Sequence, residues 1–117
     1  MLSLPASVRL YLCTAPADMR KSFDGLYTLA QQVFERDPLD GHLFLFLNRR
    51  RDRLKILYWD RDGLALWYKR LEAGTFQCPA DLGDARGLEL DATQLALLLG
   101  GIDVHSAQRR KRYARAG

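Results

Sequence analysis

Histidine, cysteine and proline are scarce in this 117-residue chain, at two, two and four copies, and each scarcity closes off a class of function. Cys13 and Cys78 lie far apart and match no metal-ligand spacing, so two reduced, partly buried thiols are expected and no zinc site. Neither His42 nor His105 forms a recognisable nucleophile motif with a serine or cysteine. No stretch approaches the roughly 18 apolar residues of a membrane-spanning helix. The first residues lack the charged start, apolar core and small-residue cleavage site of a secretory signal, and a cytoplasmic protein is expected. Acid is missing from the last segment, His105 to Gly117, which holds Arg109, Arg110, Lys111, Arg112 and Arg115. The formal charge of +4 therefore resides in this tail, and the rest of the chain is near neutral. Like charges in a terminal run repel and bury little, so residues 105–117 read as a disordered basic tail open to an anionic partner.

What is present is enough for a core. At 48% hydrophobic and 27% charged, residues 1–104 read as one globular domain. Val8 to Thr14 alternates weakly as a strand. Asp18 or Ser22 can cap a following helix, in which Met19, Phe23, Leu26, Leu29, Ala30, Val33 and Phe34 form one apolar stripe. Asp37-Pro38 stops it, and Gly25 inside it marks close packing or a kink. Glu72 to Gly87 is a loop, with a brief strand at Thr75 to Cys78. Leu88 to Leu90 is a further short strand, and Asp91 with Gln94 opens a helix through Leu99 by a capping box, ended by Gly100-Gly101. The order is β-α-β-β-β-β-α, an α+β fold with an antiparallel meander of three to five strands packed with two helices.

The stretch Gly41 to Leu71 carries most of the information. Apolar runs Leu43 to Leu47, Leu54 to Trp59 and Leu64 to Leu71 are broken by Arg49-Arg50-Arg51-Asp52 and Asp60-Arg61-Asp62-Gly63, the pattern of two consecutive hairpins. Loops of two or four residues preserve the pairing parity, so the faces can be read without the turn type. One face carries Leu43, Leu45, Leu47, Leu54, Ile56, Tyr58, Ala65 and Trp67 and ends in Lys69, the expected core face. The other carries Phe44, Phe46, Leu57, Trp59, Leu64 and Leu66, then Asn48, Arg53, Lys55, Tyr68 and Arg70 toward the first turn. That end is the candidate binding edge.

Catalysis has little support. Two-metal chemistry needs several converging carboxylates, and the best local cluster, Asp60 and Asp62, sits where a tight turn favours aspartate. The candidate nucleic-acid residues are Arg49, Arg50, Arg51, Arg53 and Lys55 at the first hairpin, Arg20 and Lys21 at the first helix, Lys69 and Arg70 on the third run, and Arg109, Arg110, Lys111 and Arg112 in the tail. Guanidinium forks suit phosphate because they donate two parallel hydrogen bonds. The competing reading is a protein-protein adaptor that uses Trp59, Trp67 and Tyr68 on an aromatic sheet surface.

Four blocks carry a resemblance: Asp18-Met19-Arg20-Lys21-Ser22-Phe23-Asp24-Gly25-Leu26, Gly41-His42-Leu43-Phe44, Asp52-Arg53-Leu54-Lys55-Ile56-Leu57-Tyr58-Trp59-Asp60 and Leu66-Trp67-Tyr68-Lys69-Arg70-Leu71. In this order they resemble the TnpB accessory proteins (Orf2-like) of the sixty-six family of bacterial insertion sequences, over about residues 8 to 104. The resemblance implies a transposon-encoded protein working in DNA transposition beside a transposase and a second accessory protein. It implies no particular molecular activity. An RNA-guided nuclease of the same name is unrelated, since this chain has no paired Cys-x-x-Cys spacing. The basic tail lies outside the resemblance, and its expected role rests on charge alone.

Overall fold

Leu43-Phe44-Leu45-Phe46-Leu47 is apolar at every position, which suits a strand covered on both faces. The computed structural model describes residues 7–79 and 86–100. In it this strand, β2 (Leu43–Leu47), is buried throughout at the centre of a five-stranded sheet. The other strands are β1 (Leu10–Cys13), β3 (Arg53–Asp60), β4 (Gly63–Arg70) and β5 (Gly87–Leu90), in the order β4-β3-β2-β1-β5. Helix α1 (Phe23–Phe34) joins β1 to β2, and α2 (Ala92–Gly100) follows β5. The element order and the α+β plan are those expected. The sheet is mixed, however, because β1 pairs parallel to β2 while the remaining pairings are antiparallel. The cause is the α1 crossover, which returns the chain to the starting end of the sheet before β2 begins.

Both hairpin registers follow the expected parity. Leu47 faces Leu54, with Arg49 to Asp52 as a four-residue loop closed by a hydrogen bond from Asn48 N to Arg53 O. Asp60 faces Gly63 across the two residues Arg61-Asp62. The first face is core as anticipated. Leu43, Leu45, Leu47, Leu54 and Ile56 join Leu10, Leu12 and Leu90 under Leu95 and Leu98 of α2, with Tyr58 and Trp67 packed against them. The second face is a core as well: Phe44, Phe46 and Leu57 meet Tyr11, Cys13 and the Leu26 and Ala30 stripe of α1. One helix on each face explains why β2 has no polar position.

Local details meet some expectations and correct others. Of the two expected cap positions Ser22 is the one used, so helix α1 begins at Phe23 and Met19 lies outside it, because Asp18 folds residues 18–21 into a turn of their own: its carbonyl accepts from Lys21 N at 3.0 Å and its carboxylate from Arg20 N at 2.9 Å. Ser22 holds the N-cap position with no side-chain cap bond. Gly25 marks close packing, since a Cβ there would sit 3.1 Å from the Lys21 side chain. Thr75 to Cys78 forms no strand: Phe76 N donates to Arg51 O, a turn carbonyl, at 2.7 Å, and the Phe76 ring enters the α2-face core. The capping box of α2 is formed reciprocally: Gln94 N donates to Asp91 Oδ1 at 2.7 Å and Asp91 N to Gln94 Oε1 at 2.9 Å. The expected basic tail, residues 105–117, lies outside the described residues.

Candidate nucleic-acid interface

The parallel pairing of β1 with β2 decides where charge collects. The C-terminal ends of β1, β2 and β4 and the N-terminal ends of β3 and β5 share one edge of the molecule. That edge carries the Arg49-Arg50-Arg51 turn, Arg53 at the start of β3, and Lys69 and Arg70 at the end of β4. Arg20 and Lys21 reach it through the segment after β1. Arg86, just before β5, joins them: its carbonyl accepts from Thr14 N at 2.9 Å, directly beyond the end of β1. Sequence reasoning missed Arg86, because it lies in a glycine-rich loop and only the β1·β5 pairing brings it here. The positive end of the α1 dipole adds to the same field.

The first turn is built around Asn48. Its side-chain oxygen accepts from Asp52 N at 3.1 Å and Arg53 N at 3.0 Å, while its amide donates to Asp52 Oδ1 at 2.6 Å. Arg51 takes a left-handed conformation with φ 58° and donates its N–H to Asn48 O at 3.1 Å. Hydrogen bonding from Asn48, and then the nearby Arg50 and Arg53 charges, hold the Asp52 carboxyl below its usual range. Asp52 is thus engaged inside the turn, and Arg49, Arg50 and Arg51 project as exposed side chains.

Lys55 behaves differently from the other cations. It is 6% exposed, and its ammonium donates to Met19 O and Lys21 O at 2.7 Å each. A buried ammonium with two of its three donors on carbonyls and the Tyr68 ring 4.7 Å away is not presented to a phosphate; Lys55 ties the Asp18 to Ser22 segment down and so places Arg20 and Lys21. Arg20 itself is turned onto Asp18, with a 2.7 Å ion pair in which the guanidinium side chain remains 91% exposed. Hydrogen bonds from Arg20 bring the Asp18 carboxyl down to about 2. Arg70 pairs with Glu72 at 2.9 Å. Both pairs are solvent-exposed and therefore weak.

A cleft of about 250 Å³ opens beside the turn, between the ends of β1 and β2, with Thr14, Pro16, Asn48, Arg49 and Arg51 in its lining. Cys13 and Cys78 also line it, but they belong to cores on opposite faces of the sheet. Both are free. Burial pushes both thiols up; Arg86 partly counters this at Cys13, after the Ala15 hydrogen bond, and Arg51 does so at Cys78. Among the three aromatics of the adaptor reading, Trp67 packs on the α2-face core, Trp59 is half-buried and Tyr68 is exposed. Asp60 and Asp62 lie at the far edge, around the second turn, with Asp62 N donating to Asp60 O at 2.6 Å. Among the described residues, no group of three or more His, Cys, Asp or Glu could hold a metal ion, and no helix is long and apolar enough to cross a membrane.

Fold and charge together define a small α+β protein with a cationic edge. The chain belongs to the IS66 Orf2-like family, whose model matches residues 8–109, and is thereby an insertion-sequence-associated protein of an IS66 transposition system. The match runs five residues beyond the resemblance drawn from the quoted blocks, so the start of the tail, through Arg109, falls inside the family. Among curated proteins, the chain is 37% identical over 117 residues to the uncharacterized protein y4hO of Sinorhizobium fredii (strain NBRC 101917 / NGR234), covering all of both chains. It is 33% identical over 110 residues to the uncharacterized protein y4jC of the same strain, covering 94% of this chain and 92% of that one. No solved structure matches the chain.

Proposed function

We propose that this protein is a non-catalytic accessory of insertion-sequence transposition, acting in the cytoplasm, that binds DNA electrostatically through its cationic edge. The observation that supports this most is the gathering of Arg49, Arg50, Arg51, Arg53, Arg86 and the Arg20-Lys21 segment on one edge of a chain whose body is near neutral overall. Phosphate contacts of this kind fix position and supply affinity with little regard to base sequence. The turn arginines lead. Arg53, Lys69 and Arg70 flank them, Lys55 holds the segment that carries Arg20 and Lys21, and Arg109, Arg110, Lys111 and Arg112 extend the surface from a basic tail that follows a single domain of residues 1–104. The transposase and the second accessory protein of the same element are the protein partners. A direct adaptor role toward them is the second reading, favoured by the exposed Tyr68.

The test is fluorescence anisotropy of the full chain on labelled element-end and random duplexes across a salt series. Affinity should fall linearly on logarithmic axes, and replacing Arg49, Arg50 and Arg51 by alanine should lower the slope by about 2 to 3, at roughly 0.9 per phosphate contact, equally on both duplexes. Neutralising Arg109 to Arg112 with glutamine measures the tail separately. Absence of binding at low salt, or binding indifferent to salt, overturns the reading in favour of the adaptor.

A further inference from the structure

Tyr68 combines two properties that rarely coincide: it is one of the most exposed large hydrophobic side chains described, at 46%, yet it is held at both ends. Register places it opposite Lys55 on β3, with Arg53 opposite Arg70 two residues along on the same face. The Lys55 ammonium lies 4.7 Å from the ring centroid, and the Tyr68 hydroxyl accepts from the Arg53 guanidinium at 3.1 Å. Lys55 is in turn anchored on the carbonyls of Met19 and Lys21. An ordinary surface tyrosine loses rotamer freedom when it meets a ligand; this one has already lost it.

We infer that Tyr68 is a stacking platform for an unpaired nucleobase, so that the cationic edge takes single-stranded DNA as well as duplex. This rests on the electrostatic reading above and names the form of DNA it favours. The buried Lys55 ammonium lies over one face of the ring, and Tyr68 still keeps 46% of its surface exposed for a base to meet. Arg53 and Arg70 stand beside it to meet the phosphates on either side of a stacked base. A ring projecting from a sheet lies against a base only when that base is free of its partner strand, because paired bases are already stacked within the duplex. Stacking on an aromatic ring tolerates every base, so it adds affinity to a cationic surface without demanding a particular sequence. The Arg53 bond orients the ring but is not needed for the stack itself.

The experiment uses the full chain with wild type, Tyr68→Ala and Tyr68→Phe, each titrated into labelled single-stranded and duplex oligonucleotides across a salt series. Tyr68→Ala should weaken single-strand binding about tenfold with an unchanged salt slope, because stacking releases no counterions. Duplex binding should stay within about twofold, and Tyr68→Phe should retain most single-strand affinity. Photocrosslinking to an oligonucleotide carrying 5-iodouracil should place the adduct on Tyr68 in the wild type. The inference is overturned, with the electrostatic reading intact, if Tyr68→Ala binds single strands like wild type while loss of the turn arginines abolishes duplex binding. It is also overturned if Tyr68→Ala weakens both forms equally or the adduct maps elsewhere. If wild type binds neither form, both readings fall together.

Discussion

Replacing Lys55 with methionine separates a cation that builds the surface from cations that would touch DNA. Two charge-assisted hydrogen bonds at 2.7 Å are lost, worth about 1.5–3 kcal/mol each. The burial cost of an ammonium, several kcal/mol, is recovered at the same time. Methionine keeps the length and volume of the side chain, so no large cavity opens beside Phe46 and Tyr68. The residual penalty is that of leaving Met19 O and Lys21 O without their donor, and the net loss comes to about 2 kcal/mol, or roughly 10 °C in melting temperature for a domain of this size. Urea unfolding followed by circular dichroism measures the stability, and anisotropy in a salt series measures the phosphate contacts. If Lys55 is structural, the variant is destabilised, binds DNA somewhat more weakly because the Arg20 and Lys21 segment loosens, and keeps its salt slope. An Arg49→Ala variant should do the reverse: unchanged stability and a slope lowered by about 0.9. A Lys55→Met protein of wild-type stability whose slope falls by about one would refute this assignment and return Lys55 to the contact surface.

Two further outcomes follow from the geometry. Gly87→Ala should destabilise the fold by about 1–3 kcal/mol, because the new Cβ would run into the Phe34 ring, whereas Gly63→Ala, with nothing within 4 Å of its Cβ, should change stability far less; equal effects in thermal melts would refute the packing argument. The Asp18 carboxyl, held down to about 2 first by the Arg20 side chain, should titrate near that pH by carboxyl-carbon NMR. Its folded value lies below the ordinary 3.8, so its contribution is present above about pH 4 and is lost as pH falls toward 2. Arg20→Ala should restore an ordinary midpoint, and an unshifted Asp18 in the wild type would show that the pair is not formed.

How much of this was legible in advance depends on the range of the interaction. The hairpins were readable because side-chain alternation has a period of two and the loops kept parity, so Leu47 against Leu54 and Tyr58 against Ala65 followed from turn lengths alone. The α2 capping box was readable because Asp91 and Gln94 are three residues apart. The direction of β1 was not: four apolar residues pair equally well either way, and the parallel arrangement follows from the α1 crossover. The start of α1 was also hidden, since Asp18 is as good a turn former as a cap and used its carboxylate on Arg20. At the candidate surface, the turn arginines were visible as a run. The fate of Lys55 and the arrival of Arg86 were not, because one depends on a carbonyl pair 34 and 36 residues away and the other on a strand pairing.

A near-neutral body argued from composition that charge lay in the tail, and the fold changes that conclusion. The strands that deliver Arg49 to Arg53, Arg70 and Arg86 to one edge deliver Asp60, Asp62 and Asp91 to the other, where Arg9 before β1 and Arg61 in the second turn offset them in part. Charges that cancel in the sum are therefore separated along the strands, across a molecule whose principal extents are 41 × 35 × 28 Å. That separation exceeds the roughly 8 Å screening length at physiological salt, so an approaching polyanion responds to the nearer edge and not to the net charge. On the proposed reading, DNA meets the arginine edge while the acidic edge is repelled from it. The Asp60 to Gly63 turn and the start of α2 then face away from the DNA, toward the protein partners proposed above.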